Sequence, residues 1–174
     1  WSNVGKVADV GGSLGTFLEA ILERSPKSRG ILFDLPEVIQ VSKEHPRWQG
    51  ALGSRVEFVA GSFFESVPVA DTYVLRYIIH DWSDESSIKI LQTIRKSIPP
   101  HGKVLICDMI HPEFGENSDV VFRVTTVDTL MMINCEGKER TASQFSALFA
   151  ASGFKLNKIH RTKVAMAIIE AVPV

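Results

Sequence analysis

The stretch KVADVGGSLGTFLEAILER, Lys6 to Arg24, decides how the chain is read. Lys6 to Val10 predicts a strand, and Thr16 to Arg24 carries apolar residues at helical spacing until Ser25-Pro26 stops it. Between them Gly11, Gly12 and Gly15 allow a tight turn and a close approach of backbone to a ligand at the helix start. A strand that turns through glycine into a helix is the first half of a βαβ unit.

Outward from this unit the same alternation recurs. Strands are predicted at 30–33, 56–60, 72–79 and 103–109, with helices near 37–44 and 83–97 between them. After a helix over 142–151 come two β-rich runs, 155–160 and 164–170, only three residues apart. So short a link carries no parallel crossover, so the last strand must run antiparallel. The predicted fold is α/β: a mostly parallel, Rossmann-like, seven-stranded sheet with an antiparallel last strand and helices on both faces.

Composition fits one domain over 1–174, with 45% hydrophobic and 22% charged residues. The 19 Lys and Arg are matched by 20 Asp and Glu, so no basic excess advertises nucleic acid. No apolar run approaches the roughly 18 residues of a membrane helix, and residues 1–10 lack the regions of a signal peptide. These features predict a soluble, cytoplasmic protein. The chain starts at Trp1 without a methionine, which reads as a fragment or a processed form. Cys107 and Cys135 show no zinc-type spacing, and Cys107 reads as a reduced core residue. His45, His101, His111 and His160 show no ligand spacing, so no metal is expected.

The glycines fall at 11, 12 and 15, with Ser at 13, which is not the dehydrogenase spacing. Asp9 precedes them by two positions, where a carboxylate suits a cationic cofactor and would repel a pyrophosphate. Asp34 ends the second strand, placed either to accept hydrogen bonds from ribose hydroxyls or to cap the following helix. An adenosine-containing cofactor without a diphosphate fits both acids, and S-adenosyl-L-methionine is the candidate, with S-adenosyl-L-homocysteine as product.

The segments VADVGGSLGTFL, GILFDLPEVI, RVEFVAGSFFESVPVADTYVLRYIIHDWSDE and GKERTASQFSALFAASGF resemble, in order and spacing, the small-molecule O-methyltransferases of plant, fungal and bacterial type. That family includes the caffeic acid, flavonoid and acetylserotonin methyltransferases. The resemblance implies the class I methyltransferase fold, S-adenosylmethionine as donor and a phenolic or other hydroxylated small molecule as acceptor. It implies His80 of the HDW motif as the base that deprotonates the acceptor, with Asp108 and Glu139 as the accompanying acids. Asp108 stands where the family often has Glu, so it reaches less far.

To Asp9, Gly11, Gly12 and Asp34 the resemblance adds Leu35, Ser62, Phe63 and Arg76 as candidate cofactor-binding residues. Ser62 replaces a family Asp, and Ser13 a glycine, which predicts weaker cofactor binding than is usual. Met131, Met132 and Asn134 match positions that line the acceptor pocket, although a methionine pair at helical spacing is also ordinary core. Asp81 is placed to bind acceptor or cap a helix, and Trp82 to pack. The family's upstream helical domain, which dimerises, has no counterpart in 1–174. An exposed apolar face is therefore expected, and a homodimer for the longer protein.

His80 precedes a helix that Ser83 can cap, with Asp84 and Glu85 in its first turn. The positive end of that helix is expected to keep the ring neutral, and a carboxylate, Glu139 first, to fix its tautomer. A helix-capping or core histidine is the plainer alternative. Two rival functions stay open: a truncated cofactor-binding domain with little turnover, and a nicotinamide-dependent dehydrogenase, which Asp9 and the glycine spacing disfavour.

Overall fold

The computed structural model describes residues 5–113 and 120–174. In chain order these residues form β1 (Lys6–Val10), α1 (Thr16–Arg24), β2 (Arg29–Asp34), α2 (Pro36–Lys43), β3 (Val56–Ala60) and β4 (Thr72–Arg76). There follow α3 (Asp84–Ser97), β5 (Lys103–Met109), α4 (Val120–Asn134), α5 (Ala142–Ala151), β6 (Phe154–Arg161) and β7 (Met166–Pro173). A single 3-10 turn, Ile79–Asp81, links β4 to α3.

The strands make one seven-stranded sheet in the order β3-β2-β1-β4-β5-β7-β6. Neighbours from β3 to β5 are parallel, and β7 runs antiparallel to both β5 and β6. Alternate residues of each strand supply the two faces. Ala8, Ile31, Tyr73, Leu75 and Ile106 pack with Leu91 and Ile94 of α3 and Phe145 and Phe149 of α5. Val7, Leu32, Val74 and Leu105 pack on the other side with Leu18 and Leu22 of α1 and Ile39 of α2. Strand order reverses between β1 and β4, and ligands of open α/β sheets bind in the crevice that opens above such a reversal.

The predicted fold is the observed one, with three local differences. β4 stops at Arg76 and does not reach Ile79, because Tyr77 turns into the left-handed region at φ 55° and its N–H bonds the Asp108 carboxylate at 3.0 Å. His80 therefore sits in the 3-10 turn beyond the strand. The hairpin strands begin and end up to three residues away from the predicted bounds. Helix α4 was not predicted as an element. Its buried Val124 and its exposed Phe122, Leu130, Met132 and Ile133 spread apolar residues around the helix, so no single stripe marks it.

Candidate active site

The floor of the crevice is the glycine turn. Gly11 has φ 70° and donates its N–H to the Phe33 carbonyl at 2.8 Å; a Cβ there would lie 2.5 Å from Ile78 Cδ1. Ser13, also left-handed at φ 52°, donates its N–H to Asp34 Oδ2 at 2.8 Å, while Asp34 Oδ1 accepts from Leu35 N–H at 2.8 Å. Asp34 thus ties the turn to the end of β2. It does not cap α2, whose N-cap is Leu35 and has no side-chain cap bond.

Two hollows meet at Gly11. One, of about 250 Å³, is lined by Asp9, Gly11, Gly12, Ser13, Leu14, Thr16, Phe17 and Arg76. Asp9 is buried there, and its Oδ2 has no hydrogen-bond partner among the described residues. Burial pushes its carboxyl up to about 7, against the pull of a backbone hydrogen bond and of Arg76. The Arg76 guanidinium lies 5.5 Å from the Phe17 ring centre and 4.7 Å from that of Tyr77.

The second hollow, of about 270 Å³, is lined by Gly11, Asp34, Leu35, Gly61, Ser62, Phe63, Phe64, Ile78, Asp81 and Trp82. Phe63, Phe64 and Trp82 meet edge to face, with ring centres 4.8 to 5.9 Å apart. Ser62 Oγ accepts the Phe64 N–H at 3.3 Å, so it shapes this loop as well as lining the hollow. An orphaned buried carboxylate oxygen in one hollow, with an acid and an aromatic cluster in the other, suits a nucleoside that carries an amino acid. All eight predicted cofactor residues line one or other hollow.

His80 stands beside them. Its Nδ1 is 2.8 Å from Glu139 Oε1, a contact between residues 59 apart in the chain, and its Nε2 is 3.4 Å from Asp81 Oδ1. Glu139 is buried, its N–H bonds Asp128 Oδ1 at 2.7 Å, and its Oε2 lacks a partner among the described residues. Asp108 does not bond the imidazole. Being short and buried beneath the turn, it accepts the main-chain N–H groups of Tyr77 at 3.0 Å and His80 at 3.2 Å. Burial pushes the Asp108 carboxyl up to about 7, opposed by His80.

The expectation of a ring kept neutral by α3 is corrected. Burial pulls the His80 pKa down, but the Glu139 hydrogen bond and the charges of Asp108, Glu139 and Asp81 carry it above its ordinary value. The helix itself begins as predicted, with Ser83 Oγ accepting the Ser86 N–H at 3.2 Å, so Asp81 is not its cap.

Cys135 Sγ lies 3.8 Å from Asp81 Oδ1, which sets the end of α4 beside the His80 turn. Met131, one helical turn earlier, is half-buried, Met132 is exposed, and the side chain of Asn134 lies outside the described residues. Cys107 is buried, and burial pushes its thiol up to about 12. Among the described residues no group of three or more His, Cys, Asp or Glu is arranged to hold a metal, and no helix is long and apolar enough to cross a membrane. Tyr77, Asp128, Gly137 and Arg140 at this site were not singled out from the sequence. Only the adjacency of Gly137 and Arg140 to Glu139 could have pointed to any of them.

A parallel sheet completed by an inverted β7, with a crevice at the ends of β1 and β4, is the architecture of the class I methyltransferases. The chain belongs to the O-methyltransferase domain family, whose sequence pattern matches residues 1–155. It is 41% identical over 169 residues to the phenazine O-methyltransferase PhzM of Lysobacter antibioticus, covering 97% of this chain and 48% of that protein. It is 41% identical over 174 residues to flavonoid 4'-O-methyltransferase 4 of Mentha piperita, covering 99% and 48%. The SAH-bound structure of CalO1, a methyltransferase in calicheamicin biosynthesis, superposes with a TM-score of 0.85 at 38% identity, covering 98% of this chain and 49% of that one. The chain spans about half the length of the curated relatives it matches.

Proposed function

We propose that this chain is the catalytic domain of an S-adenosylmethionine-dependent O-methyltransferase that acts on a hydroxyl of a small aromatic molecule, with His80 as general base. The observation that carries it is the buried His80–Glu139 pair, 2.8 Å apart, at the edge of a crevice lined by Asp9, Asp34 and an aromatic cluster. The family, the relatives named for flavonoid and phenazine methylation, and the SAH-bound neighbour support donor and acceptor class.

Bound in the crevice, the donor supplies a methyl group on a positively charged sulfur. Asp9 offers its unpaired oxygen to an ammonium group, Asp34 an acceptor to hydroxyls, and Phe63, Phe64 and Trp82 a wall to a planar base. His80 takes the proton of the acceptor hydroxyl at Nε2, while Glu139 holds the proton on Nδ1 and stabilises the imidazolium that forms. Asp108 secures the turn from below through the N–H groups of Tyr77 and His80. The exposed Phe122, Leu130, Met132 and Ile133 support the further reading that another part of the longer protein covers α4 and completes the acceptor site.

The test is calorimetric titration of the chain with S-adenosylhomocysteine, with NAD in a parallel cell. Binding of the former alone is expected, unchanged in His80→Ala, and methyl transfer to a panel of hydroxylated flavonoids, phenazines and indoles falls about 10²- to 10⁴-fold in that variant. Binding of NAD instead, or undiminished turnover in His80→Ala, overturns the proposal.

A further inference from the structure

Arg140 is among the largest fully buried side chains of the protein, although it is a cation one residue from the proposed catalytic acid. Its Nε and Nη2 reach Asp84 Oδ1 at 2.9 and 2.8 Å. Its Nη1 donates to the carbonyl of Ile79 at 2.9 Å, and Nη2 to the carbonyl of Trp82 at 2.8 Å and to Ser87 Oγ at 3.3 Å. The two carbonyls bracket His80 and Asp81. One rigid guanidinium therefore fixes both ends of the turn that bears the base.

Its neighbours in the chain grip the same turn. Gly137 lies flush on the backbone, where a Cβ would come within 1.8 Å of the His80 carbonyl oxygen. Lys138 Nζ is 2.7 Å from Asp84 Oδ2, and Glu139 Oε1 holds His80 Nδ1. Four consecutive residues thus form a strap over 79–84.

Ion pairing alone does not account for burying this arginine. The Asp84 side chain is 52% exposed, so water can solvate it, and a pair with an exposed carboxylate contributes little against the cost of desolvating a guanidinium. The planar fork of arginine, by contrast, can serve two carbonyls at a fixed separation, which the single point charge of lysine cannot.

We propose that Arg140 is a positioning residue for His80: by bonding the Ile79 and Trp82 carbonyls it sets the turn so that the imidazole faces both Glu139 and the crevice. The inference rests on the reading of His80 as the base for its catalytic meaning, but not for its geometry. The groups facing the ring are Glu139 from the strap, Asp108 from β5, Asp81 from its own turn and the Tyr77 ring, 5.5 Å between centres.

The test follows His80 by NMR in the ¹⁵N-histidine-labelled chain across a pH titration, a readout that needs no turnover. In the wild type the ring titrates above ordinary histidine and shows a hydrogen-bonded Nδ1 proton. Arg140→Met, which keeps the volume but not the donors, is expected to lower the midpoint and abolish that proton signal. Arg140→Lys moves both the same way, and it decides the matter if the methionine variant does not fold. Asp84→Asn, which weakens the ion pair but leaves the carbonyl bonds, is expected to change neither. With a phenolic acceptor in hand, kcat of the Arg140 variants falls on the order of 10²-fold at unchanged KM for S-adenosylmethionine, the usual cost of an ångström of misplacement. An unmoved midpoint and an intact Nδ1 proton in a folded Arg140 variant overturn the proposal. So does an effect of Asp84→Asn equal to that of Arg140→Met. Failure of His80 as base would instead leave the NMR changes intact and the turnover of His80→Ala undiminished.

Discussion

Replacing Glu139 with Gln removes a charge while keeping a carbonyl oxygen where Oε1 now meets His80 Nδ1 at 2.8 Å. The pair is buried, and a hydrogen bond to a charged group contributes about 1.5–3 kcal/mol. That stabilisation develops as His80 takes up the acceptor's proton, so its loss raises the barrier. At about 1.4 kcal/mol per tenfold, kcat is expected to fall roughly 10- to 150-fold. The pH dependence gives a second reading. His80 must shed its proton before it can act as a base, and Glu139 raises its pKa, so the acid limb of kcat moves to lower pH in the variant. Stability moves in step: a histidine pKa raised by folding stabilises fully below about 6.5, the unperturbed value, and loses that contribution as pH rises through the folded-state pKa. The gap in melting temperature between wild type and Glu139→Gln is therefore widest when the ring is charged. The assay is initial-rate methyl transfer to the best acceptor of the phenolic panel from pH 5 to 9, with melting curves alongside. A kcat within twofold of wild type and an unmoved acid limb would refute the assignment of Glu139 as the partner of the base.

Asp9 and Gly137 give three further expectations. The Asp9 carboxyl is raised from 3.8 to about 7 by burial, so its contribution to stability is complete below pH 4 and lost as pH rises through 7. Asp9→Asn should thus melt higher than wild type at pH 8 and about equally at pH 4, while binding S-adenosylhomocysteine more weakly; an equal gain at both pH values would show that charge burial is not the cause. Because a bound ammonium favours the ionised form, S-adenosylhomocysteine binding near pH 6.5 should release protons, seen as a dependence of binding heat on buffer ionisation enthalpy. Gly137→Ala forces a methyl group into the His80 carbonyl. Overpacking of this kind costs about 1–3 kcal/mol, or roughly 2–12 °C in melting temperature for a chain of this size, and an unchanged melting curve would contradict the close contact.

Much of this architecture was legible from local pattern. The alternation of short apolar runs with amphipathic helices, and the three-residue gap in the last β-rich pair, were sufficient for a mostly parallel sheet with an inverted strand. Ser83 announced its helix because capping chemistry is local. The two hollows drew on residues legible for the same reason: glycines and acids at strand ends act within a few residues. The His80–Glu139 contact joins positions 59 apart and was reached only through family resemblance. Arg140 escaped notice because a cation in a polar run reads as surface, and nothing local says that carbonyls of a distant turn await it. Tyr77 adopts φ 55° without being glycine, since a carboxylate from β5 holds its N–H there. The direction of the His80 shift was missed in a related way: a helix end is visible in sequence, whereas how closely acids from other segments approach the ring is not.

The position of β7 bears on how the chain is made. β7 is last of the seven strands along the sequence yet lies inside the sheet, hydrogen-bonded to β5 on one side and β6 on the other. A nascent chain leaving the ribosome can assemble β1 to β5 with their helices, but β5 then presents an unsatisfied edge, and β6 has nothing to pair with. Sheet closure waits for residues 166–173. Until they emerge, the half-built sheet carries at β5 an open template for wrong partners, so a pause in synthesis before residue 166 exposes the chain to mispairing.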